Sequence, residues 1–260
     1  MAPTMIRRHS PGSIFLHWFN AVCWFFLFCT GIGLLNNKAL QPFGMWWVHL
    51  MQTVFGSSEN LLFAHEACGI IWAFVMFVYA LVFLFSETLP FLKEIFTLSR
   101  RDDLLWLQRK MILMTAGSSV LTKLGHEPEL PDQGFYNAGQ KMFAIPAVLG
   151  GIVIACTGLI MTFSKLFADP VAVQWAILVH YVGVCLVLAG LVVHIFMASI
   201  AKGEQPAFRS MFTGVVPEDF AQKHNPLWYK SLRGDVISSP EEPMESAGPQ
   251  DEKIEDQADL

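Results

Sequence analysis

Two histidines, His180 and His194, are the residues of this chain best suited to chemistry by their type and spacing. They interrupt the stretch LVHYVGVCLVLAGLVVHIFMASIAKG (178–203), which otherwise suits hydrocarbon. An ionisable side chain in such a stretch is unfavourable and usually has a functional partner. Their fourteen-residue separation returns to within about 40° of the same helix face, about 21 Å further along the axis. Gly183 and Gly190 fall on that face, so the pattern predicts room beside the helix for two stacked flat cofactors.

The elements that must position these histidines are four long apolar runs. The chain has 260 residues, of which 53% are hydrophobic and only 15% charged. The runs contain no Asp, Glu, Lys or Arg and cover about 14–35, 67–85, 142–163 and 171–201. A helix needs about 20 apolar residues to cross the hydrocarbon core, and backbone polar groups there must be satisfied within the segment. The sequence therefore predicts an all-α integral membrane protein, a bundle of four transmembrane helices.

Lysine and arginine predict the orientation of this bundle. Only Lys38 and Lys165 lie in the two connections on one side. The basic residues on the other side are Arg7, Arg8, Lys93, Arg100, Arg101, Arg109, Lys110, Lys123, Lys141, Lys202, Arg209, Lys223, Lys230 and Arg233. Because positive residues accumulate on the cytoplasmic side, both termini are expected in the cytoplasm. The first span is expected to be retained, because it is longer than the roughly 7–15-residue core of a signal peptide.

This orientation pairs four histidines by depth. His17 begins the first span and lies near the cytoplasm, whereas His65 precedes the second span and lies near the outer face. The fourth span runs inward, which places His180 near the outer face and His194 near the cytoplasm. The depths match as His17 with His194 and His65 with His180, so each pair could ligate one iron from both sides. Iron with both axial positions filled is suited to electron transfer rather than to binding oxygen or substrate.

Other interpretations of these residues remain open from sequence alone. A single histidine in a span is often a hydrogen-bonded core residue, and a row of histidines could relay protons in a transport protein. Zinc is a poor alternative, because one zinc site needs its ligands at one depth. The remaining histidines lie outside the spans and are expected at the surface: His9, His49, His126 and His224. The five cysteines form no C-x-x-C or C-x-x-C-H motif, which excludes attached c-type haem and a Cys-rich iron–sulfur site.

The chain divides into a membrane domain, residues 1–234, and an acidic tail, residues 235–260. The connection between the second and third spans, about 86–141, mixes apolar and basic residues and predicts an amphipathic segment near the headgroups. The tail, SSPEEPMESAGPQDEKIEDQADL from residue 238, is acidic and poor in aliphatic residues. This composition predicts disorder.

Truncation after Gly234 is expected to leave cofactor content and assembly with partner subunits unchanged, because the tail has too little apolar surface to pack. Cofactor analysis and co-purification of the truncated protein measure this. Loss of the partners on truncation would show that the tail is a docking element.

Four markers together give the chain a specific resemblance. They are HW at 17–18, FYNAGQKMF at 135–143, the span containing His180 and His194, and HNPLWY at 224–229. From about Arg8 to Leu232 the chain resembles the cytochrome b (gamma) subunit of membrane-bound respiratory formate dehydrogenases. The resemblance implies a domain with two b-type haems, for which His17, His65, His180 and His194 are the axial ligands. It also implies a quinone site near the cytoplasmic haem, formed by Asn137, Gly139, Gln140 and His194.

The resemblance further implies the partners and the direction of electron transfer. Electrons would come from an iron–sulfur (beta) subunit at the outer face of the inner membrane and reach a quinone, with menaquinone the expected one. Formate oxidation would take place in a separate molybdenum- or tungsten-containing (alpha) subunit, and no nucleic acid is expected as a partner. The cytochrome b subunit of a nickel–iron hydrogenase, or of a related reductase, is the nearest alternative. Departures from the family are Glu66 beside a ligand, the long connection and the acidic tail.

The outer loop, residues 36–64, is expected to contact the iron–sulfur subunit. It contains Trp46, Trp47 and His49 but only Lys38 and Glu59 as charged residues. Aromatic enrichment with few charges is typical of the centre of a protein interface.

Overall fold

The computed structural model describes residues 3–127, 129–167, 169–201 and 203–234, and the acidic tail lies outside these residues. The described chain is mostly helical, as the sequence predicts. Its helices are α1 (Pro11–Leu34), α2 (Met45–Phe55), α3 (Ser58–Val82), α4 (Leu89–Phe96), α5 (Asp102–Thr115), α6 (Ser118–Lys123), α7 (Ala138–Thr162), α8 (Ser164–Phe167), α9 (Pro170–Ile195), α10 (Gln205–Thr213), α11 (Glu218–His224) and α12 (Pro226–Leu232).

Four of the described helices are long and apolar enough to cross a membrane, which confirms the predicted fold class. They are α1, α3, α7 and α9, and α9 continues through a π-helical turn to Ile200. Polar caps at the N-termini make three of the spans start earlier than the apolar runs. Ser10 caps α1 and Ser57 caps α3, each accepting from a backbone N–H three residues on. The second span therefore starts at Ser58 rather than near residue 67, which places His65 inside the helix.

The spans pack as two pairs, α1 against α3 and α7 against α9, and α3 contacts α7. Glycines permit the close approach of α7 and α9. A Cβ on Gly150 would lie 2.5 Å from Val187 Cγ2, and one on Gly190 would lie 3.0 Å from Phe143 Cδ2. Gly183 faces Ile154 in the same way, at 3.2 Å. Gly183 and Gly190 therefore let α9 pack on α7 beside the residues that contact His180 and His194, and their role as room for a cofactor stays a prediction.

A short antiparallel sheet joins segments near the two ends of the described chain at one end of the bundle. Strand β1 (Met5–Arg7) pairs with β2 (Val215–Pro217), with Ile6 opposite Val216. The sequence pattern does not predict these strands. Val216 packs in a small core with Phe220, Ala221 and Tyr229. This core places both ends of the described chain on the same side of the bundle.

Candidate functional site

Each of the two predicted histidine pairs meets in the structure. The ring centroids of His17 on α1 and His194 on α9 are 6.5 Å apart. Those of His65 on α3 and His180 on α9 are also 6.5 Å apart. Helix α9 therefore supplies one histidine to each pair, and the spacing of its two histidines separates the pairs along the bundle.

The distance within each pair suits one metal ion held between two imidazoles. A bond between a metal and an imidazole nitrogen is about 2.0–2.1 Å in zinc sites, and centroids 6.5 Å apart leave room for two such bonds end to end. No cluster of three or more His, Cys, Asp or Glu side chains suited to a metal occurs among the described residues. Two ligands per site suit a metal whose other positions are filled by a macrocycle, and they do not suit a tetrahedral zinc site.

Hydrogen bonds fix which nitrogen of His180 is free to bind a metal. His180 Nδ1 lies 3.1 Å from the carbonyl oxygen of Ile154 and 3.0 Å from Thr157 Oγ1. Because a carbonyl oxygen only accepts, Nδ1 carries the proton and donates it. The lone pair is then on Nε2, which is the form that metal-binding histidines adopt when Nδ1–H is held by a neighbouring group.

His65 is held by the same kind of contact. Its Nδ1 lies 2.9 Å from Thr30 Oγ1. The Thr30 hydroxyl is also 2.8 Å from the carbonyl oxygen of Phe26, an acceptor that takes the hydroxyl proton. Thr30 therefore accepts from His65 Nδ1–H, and Nε2 of His65 carries the lone pair.

The other pair is oriented by aromatic rings instead. The ring of His194 stacks on Phe143 with centroids 4.6 Å apart and an angle of 13° between the planes. His17 packs edge-on against Trp18, whose Nε1 donates to the carbonyl oxygen of Met211 at 2.7 Å. His17 Nδ1 is buried and has no hydrogen-bond partner among the described residues. A buried nitrogen without a partner is unfavourable in the protein alone and is consistent with a site that a cofactor completes.

The residues predicted to bind quinone form the start of α7. Asn137 is the N-cap, and its Oδ1 accepts from Gln140 N at 2.9 Å. Gln140 Oε1 accepts from Asn137 N at 3.0 Å, which completes a capping box. Both side-chain oxygens are therefore used by the helix, and the two NH2 groups are the donors left for a ligand. A Cβ on Gly139 would meet the buried ring of Trp106 at 3.4 Å, so glycine lets α5 pack against this turn.

Phe143 links this turn to the histidines. It lies three residues after Gln140 on α7, about one helical turn further along the same side, and its ring stacks on His194. Asn137 and Gln140 thus stand at the end of the bundle where His17 and His194 meet. The structure brings the predicted quinone residues near this pair and keeps them at the opposite end from His65 and His180.

Arg8 connects two of the sequence markers, FYNAGQKMF at 135–143 and HNPLWY at 224–229. From sequence alone this residue indicates only the orientation of the bundle and the start of the resemblance. It is buried, and it donates to Asn225 Oδ1 at 3.0 Å and to the carbonyl oxygen of Phe135 at 2.6 Å. Its guanidinium also lies over the rings of Phe135 and Trp228. Burial lowers the pKa of Arg8 to about 10 and raises the pKa of Tyr136 to about 12. Arg8 is therefore charged and Tyr136 neutral near pH 7, beside the start of α7.

The structure buries polar residues that the sequence predicts to lie in contact with solvent. Lys141, counted only as a basic residue, is buried, donates to the carbonyl oxygen of Thr97 at 3.0 Å and pairs with Asp103 at 3.6 Å. Of the four histidines expected at the surface, His49 is exposed, whereas the other three, His9, His126 and His224, are partly buried. Burial, the largest cause, lowers the pKa of His9 to about 4.

Comparisons with known proteins agree on one type of protein. The sequence profile of a family described as prokaryotic cytochrome b561 matches residues 8–214. The chain is 28% identical to the formate dehydrogenase cytochrome b556 subunit of Haemophilus influenzae, over 93% of this chain and 88% of that protein. It is 26% identical to the formate dehydrogenase cytochrome b556(fdo) subunit of Escherichia coli K12, over 88% and 94%. The nitrate-inducible cytochrome b556(Fdn) subunit of the same organism is 27% identical over 83% of this chain and 86% of its own length.

Proposed function

The chain belongs to the prokaryotic cytochrome b561 family, and from that premise we propose that it is the membrane electron-transfer subunit of a respiratory formate dehydrogenase. A membrane cytochrome b carries b-type haem and transfers electrons. The observation that carries the proposal is the pair of facing histidines at each of two levels of the bundle, with centroids 6.5 Å apart in both. The names of the related subunits support formate dehydrogenase as the complex.

The chain would hold two haems through its four span histidines. His65 and His180 would ligate one, and His17 and His194 the other. When bound between two imidazoles, a haem would supply one-electron transfer rather than substrate binding. The protein's contribution is to orient the imidazoles: Thr30 and Thr157 hold one pair, and Phe143 and Trp18 pack against the other.

The orientation of the bundle follows from its basic residues. The end of the bundle that holds both ends of the described chain also carries the basic connection and α10 to α12, which favours the cytoplasmic side of the inner membrane. His65 and His180 then lie toward the outer face, where an iron–sulfur subunit would donate electrons. A molybdenum- or tungsten-containing subunit would oxidise formate beyond it.

Quinone, with menaquinone expected, would be reduced at the cytoplasmic end beside His194. The NH2 groups of Asn137 and Gln140 would donate to a quinone carbonyl, and Gly139 keeps the turn free of a side chain. The buried ion pair of Lys141 with Asp103 fixes the start of α7 against α5 and so holds these donors in place. The protein would then move electrons from outside to inside while protons for quinone reduction come from the cytoplasm. Each electron carried across the membrane against the potential stores about 2.3 kcal/mol per 100 mV.

The test of this function is the colour and the electron donor of the purified membrane complex. We expect a low-spin b-type spectrum that formate reduces, together with an iron–sulfur and a molybdenum- or tungsten-containing subunit that co-purify. A spectrum reduced by hydrogen and not by formate would assign the chain to a hydrogenase. A colourless preparation would exclude a cytochrome and favour a transport protein.

The outer helix α2 is expected to dock the iron–sulfur subunit. Trp46 is 60% exposed on this helix, and Leu50 and Val54 follow it at helical spacing, also exposed. Trp47 anchors the helix by donating to the carbonyl oxygen of Cys29 at 3.0 Å.

Crosslinkers placed at Leu50 and Val54 in the intact complex are expected to capture the iron–sulfur subunit. The same crosslinkers at Leu186 or Val193, exposed positions on α9, serve as controls. Capture only of lipid or of a second copy of this chain from α2 would contradict the proposal.

A further inference from the structure

A three-residue sequence occurs twice in the spans and meets a histidine each time. Cys29–Thr30–Gly31 lies near the end of α1, and Cys156–Thr157–Gly158 lies near the end of α7. The first contacts His65 and the second contacts His180, the two members of one pair. Around the His65–His180 pair, α1 and α7 therefore each provide one Thr–Gly dipeptide, and α3 and α9 each provide one histidine.

The two threonines make matching hydrogen bonds. Thr30 Oγ1 lies 2.8 Å and 3.2 Å from the carbonyl oxygens of Phe26 and Leu27. Thr157 Oγ1 lies 2.7 Å and 3.1 Å from those of Val153 and Ile154. Since each hydroxyl directs its proton into its own helix, its lone pair faces the histidine Nδ1–H, at 2.9 Å for Thr30 and 3.0 Å for Thr157.

The glycines allow both imidazoles to lie directly on the neighbouring helix. A Cβ on Gly31 would stand 3.2 Å from His65 Cε1, and one on Gly158 would stand 3.5 Å from His180 Cε1. Glycine at position 31 therefore sets how close the His65 ring approaches the backbone, whereas a Cβ on Gly158 would make an ordinary contact with His180, and at both sites threonine fixes the rotation of the ring. The same residue types act on two rings that face each other.

We propose that Thr30–Gly31 and Thr157–Gly158 are a duplicated positioning device that sets the reduction potential of the outer site. The inference rests on the proposed function, because it requires His65 and His180 to be haem ligands. A ligating imidazole that donates its other N–H to an acceptor is a more basic, more electron-donating ligand. Stronger donation stabilises the oxidised metal and lowers the reduction potential. A low potential at the site nearest the donor favours electron movement inward.

The other pair has no such device among the described residues. His17 Nδ1 is buried without a hydrogen-bond partner, and His194 is stacked on a phenylalanine ring. The two sites therefore differ in the groups that face Nδ1, although their imidazoles have the same separation. The potentials of the two sites can be tuned independently, and the threonines act on one of them.

The test is a redox titration of the intact complex carrying Thr30→Val, Thr157→Val or both. Valine keeps the shape of threonine and removes the acceptor. The potential of the haem ligated by His65 and His180 is expected to rise in each single variant, and by less in Thr157→Val, because the carbonyl oxygen of Ile154 still accepts from His180 Nδ1–H at 3.1 Å. In the double variant the ratio of reduced to oxidised haem at a fixed ambient potential should change about tenfold, equivalent to about 59 mV for one electron. The potential of the other haem should not change. The serine variants, Thr30→Ser and Thr157→Ser, should keep the original potential because serine retains the acceptor.

Thr115→Val provides a matched control. Thr115 also bonds its own helix, to the carbonyl oxygen of Met111 at 2.8 Å, and lies on α5 away from the histidines. If the valine variants change the potential of neither haem, or change both potentials equally, the proposal is wrong. If Thr30→Val loses the outer haem, retention by Thr30→Ser supports the proposal, and loss in both variants overturns it. Failure of the proposed function is a separate result, because the wild-type protein would then contain no haem.

The glycines give a second, steric test. Gly31→Ala places a methyl group at a distance that is too short for ordinary packing against His65, whereas Gly158→Ala gives an ordinary contact with His180. The low-spin spectrum of the outer haem is therefore expected to change more in Gly31→Ala than in Gly158→Ala. The reverse order would contradict the assignment of Gly31 to ring placement.

Discussion

Replacing His65 or His180 with alanine is expected to leave one haem per chain instead of two, and the same haem should be lost in both variants. The ring centroids of the two imidazoles are 6.5 Å apart, and Nδ1 of each ring is held by a threonine. Their Nε2 atoms are therefore the ones free to bind iron. Alanine removes one of the two imidazoles that would hold this haem. Haem extraction gives the stoichiometry, and a redox titration identifies the haem that remains.

His17→Ala and His194→Ala should remove the other haem, because these residues form the second pair. His126→Ala is the control, since His126 lies outside the spans and should leave both haems bound. Loss of the same haem from His65→Ala and His194→Ala would show that the pairing is wrong. One haem per wild-type chain would contradict the assignment of four ligands.

Substitution of Gln140 is expected to slow quinone reduction severely while both haems stay bound and reducible by the donor. In Gln140→Leu the NH2 group proposed to donate to quinone is absent, and so is the oxygen that caps α7. Removing one positioned donor to a reacting oxygen commonly slows turnover about 10²–10³-fold. Stopped-flow measurement of haem reduction and of haem reoxidation by a quinone analogue separates the two steps.

Gln140→Glu distinguishes a quinone site from a helix cap. Glutamate keeps an oxygen for Asn137 N and completes the same capping box, but it has no NH2 group. We expect this variant to retain the stability of α7 and still reduce quinone slowly. Normal quinone reduction in Gln140→Glu would show that Gln140 serves only as a cap. Loss of turnover from a substitution beside His65, with both haems bound, would move the quinone site to the outer face.

The architecture was predictable because membrane helices obey strong local rules, and the family was predictable from sequence motifs such as FYNAGQKMF at 135–143. Backbone groups in hydrocarbon must be paired within the helix, so the four apolar runs could become little else than spans. The profile match to residues 8–214 and the four spanning helices confirm this resemblance and fold class. The histidine pairs also followed from local information, because a rigid helix of known rise and an orientation set by charge fix the depth of each residue. Their role as haem ligands stays a prediction.

The tertiary structure decided what depth cannot specify, namely which side chains from different helices touch. Thr30 and Thr157 are ordinary residues in an apolar run, and only the packing of α1 on α3 and of α7 on α9 brings them to a histidine. Gly183 shares a face with His180 in sequence, and only the packing shows that both meet Ile154 on α7. In the sequence Arg8 is recognisable only as a basic residue. The fold buries it against Phe135 and Asn225, which come from distant parts of the chain. Helix periodicity and hydrocarbon thickness act along one segment and can be read from it, whereas rotation about each helix axis is set by side-chain packing between segments and is decided only when the bundle forms.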